Sequence, residues 1–468
     1  FILTVWAKPD WPSDTGIMAE AGIVMDMDSG AILYGQNIHL TYPPASITKI
    51  LTALIVLENC NLDDTVTFST TAVNQVEADS GNKISVVAGD QLSVEDCLYS
   101  MLLVSCNQAA NALAEHTAGS ISAFVDMMNE KLAELGCQES HFENPSGLNG
   151  DNQYVSAYDM ALIAQAAYDN ETLVEISSAT THKIAPTTQN PDGFTIRGEH
   201  RLCVTEDPSS PYYYPEAIAG KTGYLIKAGN TLVTYAVKDN RRLVSVILKG
   251  QPRQYFVDGK ALLEFGFRSF QHYTVADYES RYVTGNETIS LDKGSFRASD
   301  LMIDPDSVIT LPNSASFEDA DITLGALPEI SPDNAVALLT YSYNDRTIGT
   351  AYLLAKDGVT IDGNDSASEA ATTAFDTANA EAPLATASNA EKPQRPHKHI
   401  SVAGVLITIL IVLLVLGVIG LISWFIYSKK KEAKALAKRR ERRRQRLQRS
   451  GDEEEFERLL AEYKNKKK

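Results

Sequence analysis

Residues 43–54 read PPASITKILTAL. Two prolines stop the preceding segment, and apolar residues follow at helical spacing, so this stretch predicts the start of a buried helix. On that helix Ser46 and Lys49 stand three residues apart, on one face. A serine hydroxyl needs a base to become a nucleophile, and a lysine is such a base once burial or a nearby cation lowers its pKa. Ser46 and Lys49 are therefore candidate catalytic residues for acyl transfer.

The Ser-x-x-Lys spacing is not specific on its own. Ser290 with Lys293 and Ser428 with Lys431 have the same spacing, and neither pair begins an apolar helix. A helix cap beside a solvated lysine is the ordinary explanation of such a pair. The functional interpretation therefore depends on the rest of the chain.

Two further motifs follow in order along the sequence. Residues 105–107 read SCN between two predicted helices, and residues 220–224 read GKTGY, which contains the only Lys-Thr-Gly of the chain. Ser-x-x-Lys, a Ser-x-Asn triplet and Lys-Thr-Gly together are the signature of class A β-lactamases and penicillin-binding proteins. Their order and context favour acyl transfer at Ser46.

Longer stretches also resemble the low-molecular-mass penicillin-binding proteins that are D-alanyl-D-alanine carboxypeptidases. The resemblance is firm from about residue 19 to residue 270, fainter to about residue 360, and absent beyond. It rests on the stretches PASITK (44–49), LLVSCN (102–107), NPSGL (144–148), AYDMA (157–161) and LLEFGF (262–267).

The resemblance implies a role for each residue of the three motifs. Ser46 would be the nucleophile, Lys49 its general base, and Ser105 the residue that relays a proton to the leaving amine. The implied substrate-binding residues are Asn107, Lys221, Thr222, Gly223 and Tyr224.

The implied substrate is a peptidoglycan stem peptide ending in D-Ala-D-Ala, with β-lactam antibiotics as covalent inhibitors. No cofactor and no metal is expected. A serine β-lactamase of the same fold and a catalytically silent wall-binding protein are the alternatives. Class A β-lactamases need a glutamate that activates water, and the loop of residues 137–154 contains Glu139 and Glu143, but neither stands in a matching motif.

Three positions depart from the family pattern. Gln153 stands in a loop segment where the family usually has a histidine. Leu225 replaces a frequent threonine, which could alter substrate preference. The family often has a carboxylate-binding arginine before the closing helix, and here either Arg253 or Tyr255 occupies that place.

Composition excludes some classes of function. The chain has 468 residues and a formal net charge of -19, which argues against nucleic acid as a partner. Its five cysteines are scattered without a Cys-x-x-Cys pair, so they predict neither a metal site nor a disulfide framework.

Periodicity predicts an α/β fold for the catalytic domain, residues 16–270. A hairpin at residues 21–34 and later strands at residues 220–248 enclose mainly helical sequence. This order fits a β-lactamase/transpeptidase-like antiparallel sheet flanked by helices. A small hairpin is expected near residues 80–90, and short alternating strands predict a small all-β domain at residues 271–360.

The two ends of the chain carry targeting signals. Residues 1–7 resemble the end of a secretory signal peptide. Residues 361–399 predict a disordered linker, residues 400–428 a transmembrane helix, and residues 429–468 a basic cytoplasmic tail. The sequence therefore predicts a single-pass protein of the bacterial cell membrane with its catalytic domain outside.

Overall fold

The structure is a computed structural model that describes residues 8–361 apart from residues 14, 78–79, 292 and 329. The predicted signal peptide end, transmembrane helix and basic tail lie outside these residues, as does the predicted linker beyond residue 361. Within the described part of the chain, no helix is long and apolar enough to cross a bilayer.

Strands come at both ends of the catalytic segment and dominate the region after it. Their bounds are β1 Ala21–Asp26, β2 Ile32–Gln36, β3 Thr41–Tyr42, β4 Thr65–Thr67, β5 Gln91–Ser93, β6 Val155–Ser156, β7 Thr181–Ile184, β8 Phe194–Arg197, β9 Ala217–Leu225, β10 Gly229–Lys238, β11 Arg241–Gly250, β12 Phe270–Thr274, β13 Thr288–Leu291, β14 Gly294–Arg297, β15 Leu301–Ile303, β16 Val308–Pro312, β17 Asp321–Gly325, β18 Ala335–Tyr343 and β19 Arg346–Ala355.

Eight of the ten helices in the described part of the chain lie between β2 and β9 in the sequence. Their bounds are α1 Lys49–Asn59, α2 Thr70–Asn74, α3 Val94–Leu103, α4 Asn107–Ala118, α5 Ile121–Glu134, α6 Ala157–Tyr168, α7 Glu171–Ser178, α8 Arg201–Val204, α9 Gln254–Ser269 and α10 Val275–Tyr278. A short 3₁₀ turn, Ala45–Thr48, leads into α1.

A five-stranded antiparallel sheet in the order β2-β1-β11-β10-β9 joins the two ends of the catalytic segment. Its middle strands are apolar on both faces. On β1, Ile23 belongs to the large core shared with most helices, while Val24 faces the smaller core under α9. Helices therefore cover both faces of the sheet, and the mixed α/β fold that the sequence predicts is confirmed.

The connection between β10 and β11 is a tight hairpin turn. Asp239 and Asn240 have φ values of 51° and 60°. Positive φ at both central residues is the type I′ geometry that matches the twist of paired strands. The following strand, β11, is thereby aligned along β10, which lies next to the edge strand β9.

The prediction of a small hairpin near residues 80–90 is wrong. The paired strands in this region are β4 and β5, and residues 80–90 form the loop between α2 and β5. Gly81, Ser85 and Gly89 have positive φ, which interrupts any regular strand. The Asp90 carboxylate also accepts a hydrogen bond from the Val87 backbone N–H and thereby stabilises a local turn.

A second hydrophobic core lies after α9. Strand β12 pairs with β16, and four further strands form a sheet in the order β15-β19-β18-β17. Its buried centre is apolar and aromatic and includes Leu301, Ile309, Leu339, Tyr341 and Leu353. Strands account for most of this region, and only short helical turns interrupt them.

Candidate active site

The turn that carries Ser46 is held in a strained backbone conformation. Ala45, a non-glycine residue, has a φ of 52°, and such conformations persist only where surrounding contacts enforce them. The Thr48 hydroxyl donates to the Ala45 carbonyl at 2.9 Å, and the Thr231 hydroxyl of β10 donates to the Pro44 carbonyl at 2.9 Å. The central sheet thus fixes the position of Ser46 from behind.

Lys49 is fully buried next to Ser46, and its amine is placed to accept a proton from the Ser46 hydroxyl. Its Nζ lies 3.0 Å from Ser46 Oγ. It donates hydrogen bonds to Asn107 Oδ1, at 2.7 Å, and to the Ser146 carbonyl. A neutral amine has two N–H groups and one lone pair. Because two oxygen acceptors take both N–H groups, the lone pair is directed at the Ser46 hydroxyl.

Burial favours the neutral form of this lysine. Loss of hydration holds the pKa of Lys49 well below its usual range, and the positive charge of Lys221 lowers it further. Burial also lowers the pKa of Lys221, to about 8. The site therefore contains one lysine suited to accept a proton and a second lysine that is still largely charged at neutral pH.

The Lys-Thr-Gly motif lies on β9, the edge strand of the sheet. Lys221 is 1% exposed, whereas Tyr224 is 63% exposed. Gly223 passes directly beside the nucleophile: a Cβ there would lie 2.8 Å from the Ser46 backbone nitrogen and would overlap the Thr231 hydroxyl. Only glycine lets β9 approach the Ser46 backbone this closely.

A cavity of about 730 Å³ opens at this point. Its lining includes six of the eight predicted site residues, and the two buried lysines lie behind it. The six lining residues are Ser46, Ser105, Asn107, Thr222, Gly223 and Tyr224.

Ser105 shares the cavity but stands apart from the Lys49 cluster. Its φ of 62° places it in the left-handed region, at the bend between α3 and α4. Within the described residues, its hydroxyl makes no hydrogen bond to Ser46, Lys49 or Lys221. Ser105 therefore lines the open cavity, and no described residue holds its hydroxyl by a hydrogen bond.

The loop of residues 144–150 contributes groups that sequence reasoning did not assign. The Ser146 carbonyl accepts from Lys49, and Gly147, with φ of 82°, packs so tightly on the Ala45 carbonyl that any side chain would overlap it. Gln153 closes the loop, because its Oε1 accepts from the Glu143 and Asn144 backbone N–H groups at 3.0 and 3.1 Å. The stretch NPSGL was the signal for this loop, and Gln153 supplies its hydrogen bonds.

A tyrosine in the first turn of the closing helix lines the catalytic cavity. Tyr255 lines the cavity, and Arg253, which precedes α9 with a φ of 68°, is not among the lining residues. Arg201, at the start of α8, is the arginine that the structure places in the cavity wall, where its guanidinium lies 5.1 Å from the centre of the Tyr212 ring.

Neither glutamate considered as a water-activating base lines the catalytic cavity. The Glu139 carboxylate pairs with His39 at 3.0 Å, and Glu143 accepts from the Asn152 backbone N–H at 3.1 Å. Two other carboxylates, Glu77 and Glu199, lie in the cavity wall, and no sequence motif indicated either of them.

A separate cluster of Asp26, Asp28 and His272 has the residue types of a metal site. Its carboxylates are already bound to cations, since Arg241 lies 3.4 Å from Asp26 and Arg242 lies 2.6 Å from Asp28. His272 Nε2 lies 2.6 Å from Asp26 Oδ2. This arrangement is an ion-pair network between β1, β11 and β12.

Comparison with known proteins agrees with the motifs and the geometry. A serine beside a buried lysine, next to the edge strand of this sheet, is the arrangement of a serine-type acyl-transfer enzyme. Residues 8–251 match the sequence model of the peptidase S11 family, D-alanyl-D-alanine carboxypeptidase. The chain belongs to this family.

Individual relatives carry the same description. The D-alanyl-D-alanine carboxypeptidase DacB2 of Mycobacterium tuberculosis is 35% identical over 265 residues, which are 55% of this chain and 84% of the relative. DacA of Haemophilus influenzae is 30% identical over 357 residues, 72% of this chain and 84% of the relative. The crystal structure of penicillin binding protein 6B from Escherichia coli covers 74% of this chain and 98% of its own, with a TM-score of 0.55 and 23% identity, which shows the shared fold.

Proposed function

We propose that this protein is a serine-type D-Ala-D-Ala carboxypeptidase that removes the terminal D-alanine from peptidoglycan stem peptides through an acyl-enzyme on Ser46. The observation that carries the proposal is the placement of Lys49, whose Nζ lies 3.0 Å from Ser46 Oγ with its N–H groups directed at Asn107 and Ser146. In this geometry Lys49 acts as the general base for Ser46, so no histidine is needed for that role.

In the proposed first step, Ser46 Oγ attacks the carbonyl carbon of the penultimate D-alanine while its proton passes to Lys49. The backbone N–H groups of Ser46 and Tyr224 stabilise the oxyanion. Ser105 relays a proton to the amine of the departing D-alanine as the peptide bond breaks. Its open position in the cavity suits this role.

Substrate binding uses the edge strand. A peptide that lies along β9 gains backbone hydrogen bonds as an added strand, and Gly223 permits its close approach. Lys221 attracts the terminal carboxylate, the Thr222 hydroxyl donates to it, and Asn107 holds the amide of the substrate. Water then hydrolyses the acyl-enzyme and regenerates Ser46.

β-Lactam antibiotics acylate the same serine in this proposal. The bulky adduct blocks the approach of water, and neither Glu139 nor Glu143 lines the cavity as an activating base. The penicilloyl enzyme is expected to outlive the peptide acyl-enzyme by orders of magnitude, because ~1.4 kcal/mol of added barrier slows deacylation tenfold.

The direct test measures D-alanine release from diacetyl-Lys-D-Ala-D-Ala together with the lifetime of the penicilloyl enzyme. Release of D-alanine by the wild type, its loss in Ser46→Ala, and a long-lived penicillin adduct are expected. Rapid, repeated penicillin hydrolysis without D-alanine release would favour a β-lactamase. No reaction with either compound would favour a wall-binding protein.

We also propose that residues 400–428 anchor the protein in the bacterial cell membrane, with the catalytic region outside and the basic tail inside. This proposal rests on the apolar run and its basic flank in the sequence. Protease added to protoplasts should remove the Ser46 region and spare an epitope tag placed after Lys468. Loss of the tag with the catalytic region protected would reverse this topology.

A further inference from the structure

Glu77 occupies the point where the catalytic cavity meets a second cavity. The second cavity has a volume of about 470 Å³ and shares three lining residues with the first: Glu77, Leu148 and Asn149. The Asn149 backbone N–H donates to Glu77 Oε1 at 2.9 Å, which fixes the carboxylate against the loop of residues 144–150. The two cavities therefore adjoin at this carboxylate and are called the groove when taken together.

The groove has opposite charges at its two ends. The catalytic cavity contains the cations Lys83, Arg201 and Lys227, whereas the ionisable residues lining the second cavity are Glu77 and Glu143. An elongated ligand that carries an anion at one end and a cation further along matches this distribution.

Among the carboxylates of the catalytic cavity, Glu77 is the one that no cation neutralises within the described residues. Glu199 pairs with Lys83 at 3.4 Å. No described Lys, Arg or His nitrogen lies within 4.0 Å of the Glu77 carboxylate, whose identified partner is the neutral Asn149 backbone N–H. The negative charge of the Glu77 carboxylate is therefore available to pair with a cation of a bound substrate.

The proposed function fixes which part of the substrate passes Glu77. With the terminal carboxylate at Lys221 and Thr222 and the scissile carbonyl at Ser46, the preceding residues lead away on the other side of the serine. In the proposed binding mode these residues run along the loop of residues 144–150, which lines the cavity through Gly147, Leu148 and Asn149. One residue of extended peptide spans roughly 3.3–3.6 Å, so the residue before D-Ala-D-Ala is the first whose long side chain can reach the groove.

We infer that Glu77 is a specificity-determining residue that favours stem peptides with a free, positively charged amine on the side chain preceding D-Ala-D-Ala. This inference rests on the proposed function and adds the substrate class. A peptide whose side-chain amine is already amide-bonded carries no such charge and loses this contact. The enzyme would therefore prefer peptides that are not linked through that amine.

The test compares two peptides and two proteins in the purified full-length chain. The peptides are acetyl-Lys-D-Ala-D-Ala with a free side-chain amine and the same peptide with that amine acetylated. The proteins are the wild type and Glu77→Gln, which retains an oxygen acceptor for the Asn149 N–H. Glu175→Gln is the matched control, because Glu175 is exposed on α7 and lines neither cavity.

The wild type should show kcat/KM about threefold to fivefold higher for the cationic peptide, carried by KM, and the ratio should fall as salt is raised. Glu77→Gln should bring the ratio to about one, because the amide carries no charge to attract the amine of the cationic peptide. The Glu175→Gln control should keep the wild-type ratio.

Equal ratios in wild type and Glu77→Gln would overturn the inference and leave the carboxypeptidase proposal intact. An equal loss on both peptides, with slower deacylation of penicillin, would also overturn it, because Glu77 would then act on water rather than on a cation. A wild type that releases no D-alanine from either peptide would overturn the proposed function, and the inference with it.

Discussion

The protonation state of Lys49 controls the proposed acylation of Ser46. Lys49 is buried, and its pKa is held well below its usual range by burial and by the charge of Lys221. A lysine with a lowered pKa becomes neutral at a lower pH than a free lysine. The acylation rate should therefore rise with pH through the pKa of Lys49. Below that pKa the amine is protonated and cannot act as the base, so the rate should be low.

Lys49→Arg is expected to reduce penicillin acylation by about 10²–10⁴-fold, the usual contribution of a general base, because arginine stays protonated. The measurement is the second-order rate constant of acylation across pH. Lys238→Arg, at an exposed position of β10, is the control and should behave as the wild type. A Lys49→Arg protein with a normal rate and the same pH profile would rule out Lys49 as the base.

Gly223→Ala should slow acylation, by about 10-fold or more, because the new Cβ would lie 2.8 Å from the Ser46 backbone nitrogen. Displacing one oxyanion donor commonly costs 10²–10³-fold in rate. Gly325→Ala is the matched control, since a Cβ there meets only ordinary contact at 3.7 Å. Equal acylation rates for both variants would show that β9 does not set the oxyanion geometry.

The sequence predicted the residue types of the site but not its backbone groups. Ser46, Lys49 and Asn107 come together as their motifs suggest. The Ser146 carbonyl could not be predicted, because a carbonyl acceptor has no residue signature. Glu77 was missed for a related reason: it lies in a turn-rich segment, and only the folded loop brings its carboxylate to Asn149.

At the scale of elements, β9 and β10 are supported from behind by the residue that precedes α8. His200 is buried, and its Nε2 lies 3.1 Å from both the Val233 carbonyl and Thr234 Oγ1. Val233 pairs with Lys221 across the two strands. Burial lowers the pKa of His200 to about 4 from an ordinary value of 6.5, so the folded protein keeps it neutral.

The free energy of unfolding should therefore decrease as pH falls from about 6.5 to about 4. In that window the unfolded chain binds a proton at His200 and the folded chain does not, so protonation favours unfolding. The loss is about 3 kcal/mol once pH reaches the folded pKa. Denaturant unfolding at pH 7 and pH 4 measures it.

His200→Asn supplies the control for this prediction. Asparagine retains an N–H donor for the Val233 carbonyl and does not titrate, so the variant should lose less stability between pH 7 and pH 4 than the wild type. Equal losses in both proteins would show that His200 does not carry this pH dependence.

Helices with strong caps were the elements that the sequence predicted best. Helix α3 lies in the segment that the sequence predicts as mainly helical, and it begins where the Ser93 hydroxyl accepts from the Asp96 backbone N–H. The loop of residues 80–90 was misjudged, because its apolar residues alternate as in a strand while its glycines adopt positive φ. Alternation alone does not reveal backbone conformation.

At the scale of the whole described region, one buried carboxylate connects the catalytic core to the region after α9. Asp26 on β1 is fully buried and pairs with His272 on β12 and with Arg241 on β11. Although burial raises the pKa of Asp26, the hydrogen bond and charge of His272 and the charge of Arg241 outweigh it and lower the pKa overall. No local pattern predicts this contact, because Asp26 and His272 are 246 positions apart.

Asp26→Asn is expected to destabilise the protein by about 1.5–3 kcal/mol, because the partly buried guanidinium of Arg241 loses its counter-charge and His272 loses a charged partner. Asp321→Asn is the control, since its ion pair with Lys8 is exposed and should contribute less than ~1 kcal/mol. Thermal unfolding measures both. Acylation of the folded Asp26→Asn protein should remain normal, and a stability equal to that of the Asp321 variant would contradict the role of this junction.

Mass spectrometry of the penicillin-treated protein tests the central claim most directly. We predict one covalent penicilloyl adduct per chain, located on the proteolytic peptide that contains Ser46, and no adduct in Ser46→Ala. An unmodified wild-type protein, or an adduct on another residue that persists in Ser46→Ala, would contradict the assignment of Ser46 as the nucleophile.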